Sequence, residues 1–126
     1  MAGQLTIDTL RASSGVLATQ NGMTGIAKAW VNWDGQTSPY TNVRSSFNVS
    51  SITYNATGDY TISFTTALAN ANCPCVGTSG YNYLAKSSGD IAGAGLLSTT
   101  QGWYQTCLFS GSNRNVAVCQ FVVFGA

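Results

Sequence analysis

The sequence contains no histidine and no glutamate, so its acidic residues are the aspartates Asp8, Asp34, Asp59 and Asp90. General acid–base catalysis near neutral pH usually relies on histidine or on a carboxyl group with a perturbed pKa. A glycosidase needs two carboxyl groups on either side of the scissile bond, and nothing in the spacing of these aspartates brings two of them together. We therefore predict that the protein is not an enzyme.

Charge is also scarce, at 7% of residues, and the five basic residues are scattered along the whole chain. This distribution leaves no basic patch to neutralise a run of phosphates, which argues against a nucleic-acid partner. No apolar run is long enough to span a bilayer, and the opening MAGQLTIDTLRASS lacks a basic region followed by a hydrophobic stretch. We expect neither membrane insertion nor export, and hence reduced cysteines.

The four cysteines do not form a familiar metal-binding motif. Cys73 and Cys75 are separated by one residue, whereas zinc ligand pairs usually have two to four between them, so we predict no metal and no cofactor. Cys107 and Cys119 flank a turn-forming stretch centred near Asn113, which predicts that they are cross-strand neighbours in a C-terminal hairpin. Small buried hydrophobic groups, a disulfide and a metal pair are the alternatives for these two residues.

Residues 44–66 carry the clearest structural pattern, because apolar and polar residues alternate on both sides of a turn. The alternating apolar residues are Phe47, Val49, Ile52, Tyr60, Ile62 and Phe64. Residues 55–59 between them are of the types that close tight turns. A period of two is typical of strands with one buried face. The segment is therefore predicted to be an antiparallel hairpin whose apolar row needs further strands to cover it.

Two other segments look like strands that are covered on both faces. Residues 27–34, AKAWVNWD, place Trp30 and Trp33 on opposite faces. The C-terminal segments WYQTCLF and NVAVCQFVVF flank the turn SGSNR and predict a second hairpin. Its last strand, residues 116–124, is almost entirely apolar, which is typical of a strand buried on both sides.

The remaining pattern completes an all-β fold. A strand through Cys75 and Val76 follows Pro74, and since proline cannot donate to a ladder, this strand is expected at a sheet edge or a bulge. Residues 77–102 are rich in glycine and serine and are predicted to be a long loop with at most one short strand, near Leu96 and Leu97. The sequence thus predicts an antiparallel β-sandwich of about six to eight strands over residues 27–126.

Residues 1–26 differ in composition from the rest of the chain, with few large apolar residues, and are predicted to be a short extended segment and linker. They contain the apolar residues Leu5, Ile7, Leu10 and Val16 among small and polar neighbours. One interpretation is a partly ordered tail. The other is an attachment segment that becomes ordered against another subunit, because these apolar groups otherwise have nothing to cover them.

Aromatic residues in predicted loops are the candidate recognition residues. They are Tyr40, Tyr81, Tyr83, Trp103 and Tyr104. Such side chains stack on sugar rings or anchor protein interfaces, and the alternative for each is an ordinary core or subunit contact.

Two motifs, GIAKAWVNWDG and SFNVSSITYNATGDYTISFTTAL, together resemble a β-rich module at the distal ends of tail fibres and in other virion proteins of tailed bacteriophages. The resemblance covers residues 22–68, with a weaker extension through residues 119–124. The opening LTIDTL is also similar to the start of short phage fibre proteins. The resemblance implies a non-enzymatic component of trimeric, β-rich fibres that reach the host surface.

These observations leave two main functions open. The first is a tail fibre or tail-tip module that contacts a host glycan or protein, and the second is a capsid decoration or head fibre, because the module usually ends a longer fibre. A glycan-cleaving enzyme is a more distant third. In the first two cases we expect a homotrimer in the virion, assembled in the host cytoplasm and bound to other virion proteins through residues 1–26.

Overall fold

The computed structural model describes residues 25–80 and 90–125, which form eight β-strands. In chain order these are β1 (Ile26–Asp34), β2 (Asn42–Phe47), β3 (Val49–Ala56), β4 (Asp59–Phe64), β5 (Cys75–Gly80), β6 (Asp90–Leu96), β7 (Gln101–Leu108) and β8 (Val118–Gly125).

The strands form two four-stranded sheets that pack face to face around one core. Sheet 1 has the order β2-β1-β8-β5 and sheet 2 the order β3-β4-β7-β6, and every neighbouring pair is antiparallel. The predicted antiparallel β-sandwich is confirmed. Across the residues that the structure describes, no helix is long and apolar enough to cross a membrane.

The core lies between the central strands of the two sheets. Its buried strand residues are Ala29, Val31 and Trp33 on β1, Tyr60, Ile62 and Phe64 on β4, Tyr104 on β7, and Cys119, Phe121 and Val123 on β8. Trp33 of sheet 1 packs edge-on against two rings of sheet 2, at centroid distances of 5.5 Å to Tyr60 and 4.7 Å to Tyr104. Aromatic pairs in this geometry contribute about 0.5–1.5 kcal/mol beyond burial of their area, so Trp33 joins the two sheets.

The predicted central hairpin is confirmed from Val49 to Phe64, where β3 pairs with β4. Its turn contains Gly58, which has a φ of 68°. A Cβ at this position would lie on the carbonyl oxygen of Thr106. The turn therefore requires glycine both for its conformation and for its closeness to β7.

Phe47 does not belong to this hairpin, and the prediction that it shares the hairpin's apolar row is wrong. It ends β2 in sheet 1, opposite Trp30. The chain changes sheets at Asn48, which has a φ of 56°. The Asn48 amide donates to the Lys28 carbonyl at 2.9 Å, and its Oδ1 accepts from the Thr66 N–H at 2.7 Å. These bonds fix the crossing between the two sheets.

The predicted C-terminal hairpin is wrong, because β7 lies in sheet 2 and β8 in sheet 1. The segment after β7 first folds back against the end of β7, where Asn113 bridges to Cys107, and then reaches the β3–β4 turn. The Arg114 N–H donates to the Thr106 carbonyl at 3.1 Å, and the Thr106 hydroxyl donates to the Arg114 carbonyl at 2.6 Å. Asn115 Oδ1 accepts from the Gly58 N–H at 2.7 Å. These contacts carry the chain to the other sheet before β8 begins.

The strand after Pro74 lies at a sheet edge, as predicted, since β5 begins at Cys75 on the outside of sheet 1. The long loop predicted over residues 77–102 is wrong. β5 continues to Gly80, β6 follows as a full strand, and β7 starts before the predicted loop ends. Glycine and alanine fill β6, so the alternation of large apolar residues that marks a strand is absent from its sequence.

Candidate interaction surfaces

Four apolar side chains form a row across the outer face of sheet 1, one on each strand. Phe47, Trp30, Val122 and Val76 are successive cross-strand neighbours on β2, β1, β8 and β5. They point away from the core, and Val76 is 49% exposed. We call these four residues the apolar row. The strands that were predicted to be covered on both faces thus have only their inner face in the core of the described chain.

A polar row runs beside the apolar row. It consists of Ser45, Asn32, Gln120 and Thr78, again one residue per strand. The Thr78 hydroxyl lies 2.7 Å from Gln120 Oε1, and Arg44 donates to Asn32 Oδ1 at 3.3 Å. Members of both rows line a groove of about 390 Å³. An apolar band next to neutral hydrogen-bonding groups is the composition of a protein interface core and its rim.

The outer face of sheet 2 is mostly polar, although Ile91 of β6, opposite Cys107, is 46% exposed on it. Its outward residues include Ser51 and Thr53 on β3, Thr61 and Ser63 on β4, and Gln101 and Gln105 on β7. Asn55 of edge strand β3 donates to Thr61 Oγ1 at 3.0 Å and to Asp59 Oδ1 at 3.2 Å, both on central strand β4. We call the six hydroxyl and amide residues, together with Trp103 of β7, the polar face.

Trp103 is the one aromatic residue on the outer face of sheet 2 in the described chain. It lies opposite Thr61 on β4 and Gly95 on β6. A Cβ at Gly95 would be 2.8 Å from Trp103 Cε2, and one at Gly93 would be 3.1 Å from Trp103 Cζ3. The indole therefore lies across β6 in space that the two glycines leave open. Trp103 was predicted to be in a loop, but it is half-buried on a strand.

The prediction that Tyr104 is a surface aromatic is wrong. Tyr104 is completely buried, and its hydroxyl donates to the Thr78 carbonyl at 2.6 Å. Successive strand residues point to opposite faces, so Trp103 and Tyr104 cannot both be at the surface. Burial raises the pKa of Tyr104 well above its ordinary value.

Tyr40 lies in the β1–β2 loop, as predicted, and is half-buried. Its ring packs against Tyr54 of sheet 2 with the centroids 4.8 Å apart, so it contributes to the end of the sandwich. The predictions for Tyr81, Tyr83, Leu5, Ile7, Leu10 and Val16 concern residues outside those that the structure describes.

Cys107 and Cys119 are not cross-strand neighbours, which corrects the predicted pairing. Cys107 on β7 lies opposite Ile91, whereas Cys119 on β8 lies opposite Trp33 and Ser79 in the other sheet. All four thiols are free. Cys119 is completely buried, and burial raises its pKa to about 12. It is a small hydrophobic core residue, which was one of the alternatives for it.

The aspartates of the described chain have local structural contacts. Asp34 accepts from the Gln36 N–H at 2.8 Å, Asp59 accepts from β3, and Asp90 lies 3.3 Å from an Arg114 guanidinium nitrogen. The part of the chain that the structure describes contains no group of three or more cysteine and aspartate side chains able to hold a metal ion.

No family model matches this chain, and no curated protein or solved structure is significantly similar to it. The two outer faces are therefore defined by geometry alone. Sequence reasoning missed the apolar row because its members come from four strands whose order in the sheet depends on contacts between distant parts of the chain. The sequence feature that could have revealed the apolar row was the pair of tryptophans, Trp30 and Trp33, on opposite faces of β1.

Proposed function

We propose that the protein is a non-enzymatic structural component of a tailed-bacteriophage virion, a tail fibre or tail-tip module that takes part in host attachment. The working unit is a homotrimer in which the outer face of sheet 1 of each chain packs against the other two chains. The observation that carries the proposal is the apolar row. A two-sheet sandwich needs one apolar face per sheet, and sheet 1 has two.

Burial of the apolar row supplies a driving force for association. A large apolar side chain that is removed from water contributes about 1.5–3 kcal/mol. Four such residues on each chain offset a substantial part of the entropy that association costs. The four residues of the neighbouring polar row are uncharged, and Arg44, which donates to Asn32 of this row, is paired with Asp34 at 3.7 Å. Polar groups of this kind are typical of the rim of a buried contact.

The choice of three chains comes from the resemblance to phage fibre modules. A two-fold dimer is the commonest closed assembly, and a row on one sheet face is compatible with either symmetry. The resemblance over residues 22–68 favours the trimer. The assignment of residues 1–26 as the segment that binds other virion proteins rests on their different composition and on Leu5, Ile7 and Leu10, and the opening LTIDTL resembles the start of short phage fibre proteins.

Sedimentation equilibrium of the full chain tests the assembly. We expect a trimer, and Trp30→Asp should convert it to a folded monomer because a charge replaces the largest member of the apolar row. A wild-type chain that stays monomeric at high concentration would contradict the trimer.

Antibody labelling of purified particles from the virus that encodes the chain tests the location. We expect label at the tail with tens of copies per particle. Hundreds of copies on the head would identify a capsid decoration, and unlabelled particles would exclude a virion role. Deletion of residues 1–20 should abolish incorporation, and a truncated chain that still incorporates would refute the attachment segment.

A further inference from the structure

We propose that the polar face is a glycan-binding surface on which a neutral pyranose ring of a surface polysaccharide stacks against Trp103. The proposal deepens the attachment role and rests on it, since it names the class of molecule that the module binds. In the proposed trimer sheet 1 faces inward, so the outer face of sheet 2 is the one left towards solvent.

The backbone of β6 holds the stacking residue in place from beneath. The Trp103 indole spans Gly93 and Gly95, with ring atoms about 3 Å from the positions that a Cβ would take. A ring supported in this way has little freedom to lose on binding. The electron-rich face of an aromatic ring attracts the weakly positive C–H groups on the face of a sugar ring. Trp103 is therefore a preformed stacking site.

Hydrogen-bonding groups surround the stacking site. Thr61 lies directly opposite Trp103 on β4, and Gln101 and Gln105 lie two residues away on either side along β7, on the same face. Both glutamines are exposed. Amides and hydroxyls each donate and accept, as sugar hydroxyls do. A pyranose on Trp103 thus has partners for its ring face and for its hydroxyl edges.

Charge complementarity selects a neutral ligand. The four strands of sheet 2 contain no lysine and no arginine. Asp59, opposite Gln105, adds a negative charge at one end of the face. Single-stranded nucleic acid also stacks on aromatic rings, but it needs a positively charged groove, and anionic sugars would be repelled. A protein interface is usually centred on a cluster of apolar anchors. Ile91 on β6 and Leu97 just after it are also exposed here, but the residues next to Trp103 on β4 and β7 are hydroxyl and amide groups.

Binding to soluble polysaccharides tests the proposal on the full chain. Dextran, mannan and galactan are the neutral probes, and alginate and heparin are the anionic ones. Intrinsic tryptophan fluorescence and affinity gel electrophoresis report binding. We expect at least one neutral polymer to bind and neither anionic polymer to do so. Trp103→Ala should weaken binding at least about 10-fold, and Trp103→Phe should weaken it less, because a phenyl ring still stacks.

Two further variants separate positioning from folding. Gly95→Ala keeps every hydrogen-bonding group but displaces the indole from its place on β6, so it should weaken binding although Trp103 is present. Gln36→Ala, in the exposed β1–β2 loop and outside both the apolar row and the polar face, should leave the affinity for the neutral polymer unchanged. Thermal unfolding of each variant shows whether it is folded. If Trp103→Ala does not fold, the binding of Trp103→Phe and Gly95→Ala tests the proposal instead.

Three outcomes would overturn the proposal: no neutral polymer binds, only the anionic polymers bind, or Trp103→Ala binds as tightly as the wild type. These outcomes are distinct from a failure of the proposed function. A chain that is found in virions but binds no neutral polymer overturns only the glycan site. A chain that binds dextran through Trp103 but is missing from purified particles overturns only the virion role.

Discussion

The outer faces of the two sheets differ although the sheets are built alike. Each sheet has four antiparallel strands and gives one apolar face to the common core. Sheet 2 turns mostly serine, threonine and glutamine outward, with Trp103 and Ile91 among them, as is typical of an antiparallel sheet with one solvated face. Sheet 1 turns a tryptophan, a phenylalanine and two valines outward. The second apolar surface is unnecessary for the sandwich, so we infer that it serves a contact outside the fold.

Strand β1 shows the difference within three residues. Trp33 is completely buried and touches two tyrosines of sheet 2, whereas Trp30 lies in the outward row. The same residue type therefore has two roles on one strand. The inner one holds the sheets together, and the outer one is available to another chain.

The largest expected effect separates these two tryptophans. Trp33→Ala should lower the free energy of unfolding by about 3–5 kcal/mol, because it leaves a cavity where the sheets meet. Trp30→Thr should lower the free energy of unfolding of the monomer by about 1 kcal/mol or less, because Trp30 lies outside the core and its loss leaves no internal cavity. Urea unfolding at low protein concentration measures both values. Equal losses would show that Trp30 stabilises the monomer as much as Trp33 does and would remove the contrast between the faces.

Local pattern predicted much of the fold, and long-range pairing was where prediction failed. The alternation from Val49 to Phe64 depends on neighbouring residues, and the β3–β4 hairpin is present as expected. The partners of β7 and β8 depend on Asn115 and Gly58, which are distant in sequence. Adjacency in the chain therefore suggested a hairpin that does not exist.

The candidate surfaces were less predictable than the core. An apolar strand such as residues 116–124 predicts cover on both faces, but sequence cannot say whether the cover comes from the same chain. Trp103 directly follows the long loop predicted over residues 77–102, and Gly93 and Gly95 were part of that predicted loop. In the structure these glycines belong to β6 and make room for its indole. A glycine-rich strand beneath an aromatic ring has no distinctive sequence pattern.

A single charge should weaken self-association when it is placed in the apolar row of sheet 1 but not when it is placed on the polar face of sheet 2. Val122→Lys on central strand β8 should weaken self-association by about 10- to 100-fold for each chain in the assembly, because each chain loses about 1.5–3 kcal/mol of burial and gains a charge at the contact. Thr61→Lys on central strand β4 is the matched control and should leave association unchanged. Sedimentation velocity over a range of concentrations measures both. A larger effect of the lysine at Thr61 would place the interface on the polar face instead.

High pH should destabilise the whole sandwich, because the groups that titrate lie in the core between the two sheets. Burial raises the pKa of Cys119 to about 12 from its ordinary value of 9.0, and it also raises those of Tyr60 and Tyr104. Because the pKa of Cys119 is higher in the folded state than in the unfolded state, its contribution to the free energy of unfolding is fully present below pH 9. This contribution is lost as the pH rises towards 12. Cys119 alone should cost about 1 kcal/mol by pH 10.

Urea unfolding at pH 7, 9 and 10 checks this dependence. Cys119→Ala should be less stable at pH 7 but should show a shallower decline between pH 9 and pH 10. An unchanged decline in the variant would assign the effect to the buried tyrosines alone.

The smallest expected effect is an apolar substitution on the polar face. Thr53 is exposed on edge strand β3, opposite Thr61. Thr53→Val keeps the β-branched shape, so the free energy of unfolding should change by less than about 0.5 kcal/mol. One valine among hydroxyls makes no continuous apolar surface, so light scattering should give the same oligomer as the wild type. Growth into larger species would show that each hydroxyl of the polar face is needed to keep sheet 2 from acting as a second association surface.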